Sequence, residues 1–481
     1  MSDLFAGAGR RIVSPPCGIK TFGFSSREGT VQTIESDLFA TALVLTDGVC
    51  KVALIATDTG WMAWETINDL RRRVGEAIGT SAGHVMINLS HTHSSPSMPE
   101  WVPDDPAQLA LQTRYRDDLC AWIVEAAQEA NANLRPARIA AGWGRSDIGV
   151  YRREVGPDGK VFLGEVPDAP VDPSVGVIRV DDTDGCPVAI LFSYGCHTVT
   201  VGPRSLVASS DFPGAARMLV ENTFGGKALF LQGCAGNIIP RGGMGYEVDC
   251  RDAKNRLGLA LGAEVVKTAA GIRTHVQRGE RTALGSLSRI SLWPWVPVTG
   301  PSCTYLNAVD ETVTLDFINL PKLEEAERIR AECVRSRDEA LAKGARDWEI
   351  NVTTRFADWG DKLVEAVRTG RRTLDINIQA IRINDIALAS VSVEAFFETG
   401  LTVKSRSPFL HTQVLGYTNG CVCYLPRAED YPPGGWDVHE RYGIPDLLFQ
   451  AYSLPVAIDP DSERRVAERM TALLERMKTE E

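Results

Sequence analysis

Val85 to Leu89 is a short apolar run that stops at Ser90-His91-Thr92-His93-Ser94-Ser95-Pro96. A run of this length bounded by turn residues reads as a buried strand. Side chains alternate across a strand, so histidines at i and i+2 on extended chain point the same way. The pattern predicts two imidazoles entering one pocket at a strand end, which is where α/β folds put ligands. Few arrangements of the rest of the chain keep such a strand end both buried and reachable.

The same motif, an apolar run ending in a loop of small residues, recurs along the chain. Val188 to Ser193 leads into Gly195-Cys196-His197-Thr198. Ala228 to Leu231 leads into Gln232-Gly233-Cys234-Ala235-Gly236-Asn237. Ile386 to Val393 ends at Glu394. Asp47-Gly48 between two β-rich runs predicts a hairpin, as do Asp181 to Gly185 and Asn384-Asp385. Ile67, Leu70, Val74 and Ile78 form one helical stripe, and a second helix is expected over Thr113 to Ala130. Further helices are expected over 250–270, over the charged stretch 322–345 with a solvated face, and, exposed, over Pro460 to Met477. Residues 97–114 and 151–173 read as loop. The expectation is an α/β fold of mixed sheets with flanking helices, one large domain over 1–481 with a subdomain at about 282–373.

With 481 residues, 44% hydrophobic and 23% charged, the chain has the composition of a globular protein. A net charge of −11 argues against nucleic acid or an anionic membrane as the main partner. A small-molecule substrate fits better, and oligomeric state is not legible. Eleven cysteines without repeating spacing read as reduced thiols, and no secretory signal or transmembrane run is expected. The expected location is the cytoplasm.

His91, His93, His197 and Glu394 thus each stand where a strand runs into a loop, and three of only seven histidines are in this setting. Imidazoles with one carboxylate suit Zn²⁺ in a hydrolytic site. Ser90 to Pro96 also resembles the Thr-His-Thr-His-Ser-Gly-Pro segment of neutral/alkaline ceramidases, zinc amidases that cleave the N-acyl bond of ceramide. Ile148 to Arg153, Tyr194 to His197, Ser210 to Gly214, Gln232 to Asn237, Val393-Glu394 and Asn419 to Tyr424 follow the family's segments in the same order.

The resemblance implies the catalytic domain of that family, one zinc held by His91, His197, Glu394 and Tyr424, and His93 beside it as acid/base. It also implies that Arg152 holds the developing oxyanion and that Asp58 and Asp211 orient ligands from behind. Ile239 stands where the family has a serine, and Gly435-Trp436-Asp437 replaces a tyrosine-bearing segment. The family's C-terminal immunoglobulin-like domain is not expected in this sequence. These departures point to a short bacterial-type branch acting on a carbonyl C–N bond (an amide, cyclic amide or carbamate) of a substrate other than ceramide. An esterase or lactonase and a non-catalytic ligand-binding homologue are the alternatives. Trp295 and Trp436 are candidate pocket residues.

Overall fold

The computed structural model describes residues 3–479 apart from 102–104, 246–248, 286–288, 304, 433–439, 442–443, 446–451 and 453. Numbering only the strands of the two large sheets, the first sheet contains β1 (Leu4–Ile12), β2 (Phe39–Thr46), β3 (Lys51–Thr57), β4 (Val85–Leu89), β5 (Arg135–Arg145), β6 (Ser174–Asp182), β7 (Pro187–Tyr194) and β8 (Lys227–Gln232). Their order is β8-β7-β6-β5-β1-β2-β3-β4. The middle pairs are antiparallel, while β3 with β4 and β7 with β8 are parallel. The second sheet, in order, is β9 (Leu306–Asp316), β10 (Thr373–Ile383), β11 (Ile386–Val391) and β12 (His411–Leu415).

Alternation along the strands sets the layers. On the first sheet Ala42, Val44, Ala53, Ile55, Val85 and Ile87 face α1 (Trp64–Ile78) and α2 (Pro106–Ala132). Val177, Ile190, Phe192 and Phe230 face α3 (Asp211–Phe224) and α4 (Arg251–Gly271). The opposite face, with Leu43, Leu45, Leu54, Met86, Leu191 and Leu231, packs on Ile381, Ile383 and Leu388 of the second sheet. The far side of the second sheet is covered by the C-terminal helix, Ser462–Thr479. The result is helices, sheet, sheet, helices, a mixed α/β architecture as expected.

Three expectations need correction. The C-terminal helix buries Val466, Met470, Leu473, Leu474 and Met477 and is not an exposed helix. The α2 helix begins at Pro106, because the Asp105 side chain caps it by accepting the Gln108 N–H at 3.0 Å. Residues 151–173 are not simply loop: strands Gly149–Val155 and Val161–Val166 pair there.

The two edges of the large sheet curl toward each other and are sealed by buried amides. Asn88 on β4 accepts the Gln232 N–H at 2.7 Å and donates to the Gln232 carbonyl at 3.2 Å. Asn419 accepts from the Ile87 N–H at 2.9 Å and donates to Asn377 and Gln379. Gln232 donates onward to the carbonyls of Ser90 (3.2 Å) and Cys196 (2.8 Å), the residues just before the histidines. Backbone groups at the sheet edges thereby find partners within the protein. Gln232→Leu is expected to lower the unfolding free energy by about 2–4 kcal/mol, because two buried carbonyls, of Ser90 and Cys196, lose their donor at once. Denaturant unfolding against the parent protein checks this.

Candidate metal centre

Three strand ends meet on one side of the seam. β4 delivers His91 and His93, β7 delivers His197, and β11 delivers Glu394, whose short strand pairs in parallel with Tyr424-Leu425. The strand before the first motif ends at Leu89, and His91 has φ of 59°. The two imidazoles therefore share a pocket through a left-handed turn, and extended alternation is not the cause. A non-glycine residue in that region costs about 1 kcal/mol or more. The turn is held by the His91 N–H donating to the Thr59 carbonyl at 3.0 Å.

His91 Nδ1 donates to the Gly60 carbonyl and His197 Nδ1 to the Ala235 carbonyl, each at 2.7 Å. Those bonds fix the tautomers and leave both Nε2 lone pairs facing inward. His197 Nε2 is buried with no hydrogen-bond partner among the described residues and lies 3.1 Å from Glu394 Oε2. His91 Nε2 lies 3.7 Å from the same oxygen and 3.3 Å from His93 Nε2. Donors about 2.0–2.1 Å from one tetrahedral ion stand roughly 3.3 Å apart, so this set fits a single cation. The donor atoms of His91, His93 and His197 all lie within 4.8 Å of one another.

Burial disfavours the charged imidazoles. It lowers His91 against the opposing pull of Glu394, and lowers His93 well below its ordinary value with the other histidines adding to the effect. His197 is brought down to about 4 by burial and then by Arg152. Burial alone would raise Glu394, but His91, His197 and Arg152 outweigh it and hold the carboxylate at about 2. Two neutral nitrogens and one anionic carboxylate are the forms a metal requires. The Tyr424 phenol is raised well above its usual range, first by burial and then by Glu394. A bound cation inverts that local preference.

Arg152 donates to the Gly236 carbonyl at 2.5 Å and to the Tyr424 hydroxyl at 3.2 Å. Asp58 forms a buried pair with Arg217 at 2.8 Å and accepts the Phe39 N–H. Asp211 accepts the N–H groups of Val201 and Phe212. Both aspartates brace loops, whereas backbone carbonyls take the orienting positions on the histidines. Trp295 is 49% exposed on a surface arm beneath Arg278, and its described contacts do not reach the histidines. Trp436 lies outside the described residues.

Several contributors were not anticipated. The Tyr417 hydroxyl donates to Glu394 Oε2 at 3.0 Å, and its ring lies 4.5 Å from His91. The Tyr452 hydroxyl bonds the other carboxylate oxygen. Phe22 and Phe24 stand edge-on to His93, with Gly23 between them where a Cβ would meet His93 Nδ1 at 2.2 Å. Tyr417 had only a faint signal: Val414 and Leu415 end β12 before Gly416, but His411, Thr412 and Gln413 make the strand mostly polar, unlike the run before His91.

No family model matches the chain. Over 208 residues it is 28% identical to neutral ceramidase A of Dictyostelium discoideum, covering 40% of this chain and 28% of that protein. Over 146 residues it is 24% identical to neutral ceramidase B of the same organism, covering 30% of this chain and 20% of that protein. The match thus spans less than a third of either relative's length. Among solved structures, neutral ceramidase from Pseudomonas aeruginosa aligns with a TM-score of 0.66 at 17% identity, over 99% of this chain and 75% of that one. A ceramidase complexed with C2 aligns with a TM-score of 0.69 at 18% identity, over 99% and 76%. The chain is thus similar in sequence to the neutral ceramidases over part of its length, and it shares the fold of the ceramidase catalytic domain through nearly its whole length.

Proposed function

We propose that the chain is a metal-dependent hydrolase of a carbonyl C–N bond in a small molecule, with zinc as the ion. The observation that carries this reading is the pair of inward-facing Nε2 atoms of His91 and His197. Each is fixed from behind by a carbonyl, and each lies within 3.7 Å of the Glu394 carboxylate. In this reading His91, His197, Glu394 and Tyr424 hold the ion. When bound there, a divalent ion supplies Lewis acidity toward the substrate carbonyl and acidifies water.

The chain's own residues do the rest. His93, kept neutral by burial, accepts a proton from the attacking water and returns it to the leaving nitrogen. Arg152, itself buried, brings a permanent positive charge to the carbonyl oxygen as it becomes negative. Tyr417 and Tyr452 hold the two oxygens of Glu394 in position. Ile239 packs with Val150 and Val199 at the position where the family carries a serine, so water is the nucleophile. Homology to neutral ceramidases favours an amide over an ester, and the replaced family segments favour an acyl amide other than ceramide.

The test is to strip the protein with a chelator, restore zinc, and assay amides, carbamates, esters and lactones before and after. Amide hydrolysis that vanishes and returns is expected. Activity indifferent to stripping contradicts the proposal, as does the absence of any hydrolysis in the zinc-restored protein. Arg152→Met is expected to lower kcat about 10²-fold with little change in KM, because the contact strengthens as charge develops.

A further inference from the structure

The segment after α4 forms an arm of two short antiparallel ladders. Val276–Arg278 pairs with Trp295–Pro297, and Thr282–Leu284 pairs with Ile290–Leu292. The arm's apolar side chains face solvent: Ile290 is 45% exposed, Leu292 39%, Trp293 55% and Trp295 49%. Single exposed apolar residues are ordinary, but four within six consecutive residues, running from the second ladder back into the first, concentrate apolar surface on this arm. Arg273, Arg278, Arg281 and Arg289 are exposed beside it, and Glu280 is the lone acid between positions 273 and 297. That local excess of positive charge sits on a chain of net charge −11.

The arginines and tryptophans are organised together. The Arg278 guanidinium lies 4.3 Å from the Trp295 ring centre and donates to the Trp293 carbonyl at 2.9 Å. Arg273 lies 5.6 Å from the same ring. Stacking leaves both guanidinium charges in place, and each planar fork carries five N–H donors, of which one in Arg278 bonds the Trp293 carbonyl and one in Arg273 the Ala270 carbonyl. Tryptophan sits well at the level of lipid headgroups, and isoleucine and leucine insert below it, while arginines meet the phosphates.

We infer that this arm is a peripheral docking site for an anionic lipid bilayer. A second copy of the chain fits less well, since a two-fold contact through one patch sets arginines against arginines. A single-stranded nucleic acid would use the rings and the charges but leave Ile290 and Leu292 in water. The inference is independent of the hydrolase reading, because none of these residues belongs to the metal centre.

The experiment is flotation of the full chain with vesicles of phosphatidylcholine alone or mixed with phosphatidylglycerol. The variants are Trp293→Ala/Trp295→Ala and Arg273→Gln/Arg278→Gln, with unfolding midpoints compared to show that both are folded. The parent protein is expected to float with the anionic vesicles and to be released by salt, and each variant to bind at least about tenfold more weakly. Failure of the parent to bind anionic vesicles overturns the inference, as does undiminished binding by the tryptophan variant. Sedimentation showing a dimer that this variant abolishes would reassign the patch to self-association and overturn it too.

Discussion

Replacing His91 with alanine is expected to abolish stoichiometric metal uptake and to lower kcat/KM for an amide probe by at least about 10³-fold, or ~4 kcal/mol of transition-state stabilisation. The reasoning is local. His91 contributes one of two imidazoles whose tautomer is fixed by a carbonyl, and its Nε2 is within 3.7 Å of both His93 and Glu394. Alanine also strands the Gly60 carbonyl, which costs roughly 1–3 kcal/mol and leaves the protein folded if its stability is ordinary. Metal analysis and circular dichroism on the same sample separate loss of the site from loss of the fold. An unchanged metal content in a folded variant would remove His91 from the ligand set.

His93→Ala separates two roles that the geometry brings close together. The proposed mechanism uses His93 as proton acceptor, so metal content should stay near that of the parent while kcat falls about 10²- to 10⁴-fold. The opposing observation is the 3.3 Å approach of its Nε2 to that of His91, which would suit a third imidazole ligand. The Nδ1 of His93 is buried, has no partner among the described residues and faces Gly23, so none of their carbonyls locks its tautomer as Gly60 and Ala235 lock the other two. That asymmetry is why we assign it to proton transfer. Loss of metal in step with activity would make His93 a ligand and displace Tyr424 from that role.

Much of this site was legible because strand ends announce themselves. His91, His197 and Glu394 each follow a run of apolar residues, and the fold gathers all three at one seam. What the sequence concealed is non-local. Asn88, Gln232 and Asn419 look like ordinary polar residues at strand ends, and their pairing across the sheet edges depends on how far the sheet curls. Tyr452 reaches Glu394 from 58 positions away, a distance that carries no periodic signal.

Asp58 and Asp211 looked like orienters because carboxylates often back histidines. Here carbonyls fill that role, and the buried aspartates answer Arg217 and the backbone. The C-terminal helix was misjudged because its charged face dominates its composition. Its apolar stripe of Val466, Met470, Leu473 and Met477 is the face that the second sheet covers.

The most direct test of the central claim is the metal content of the native protein by plasma mass spectrometry after extensive dialysis. The account predicts close to one zinc per chain. A protein that purifies without metal, and takes up none when zinc is supplied, would contradict it, leaving the ceramidase-like fold without the chemistry proposed for it.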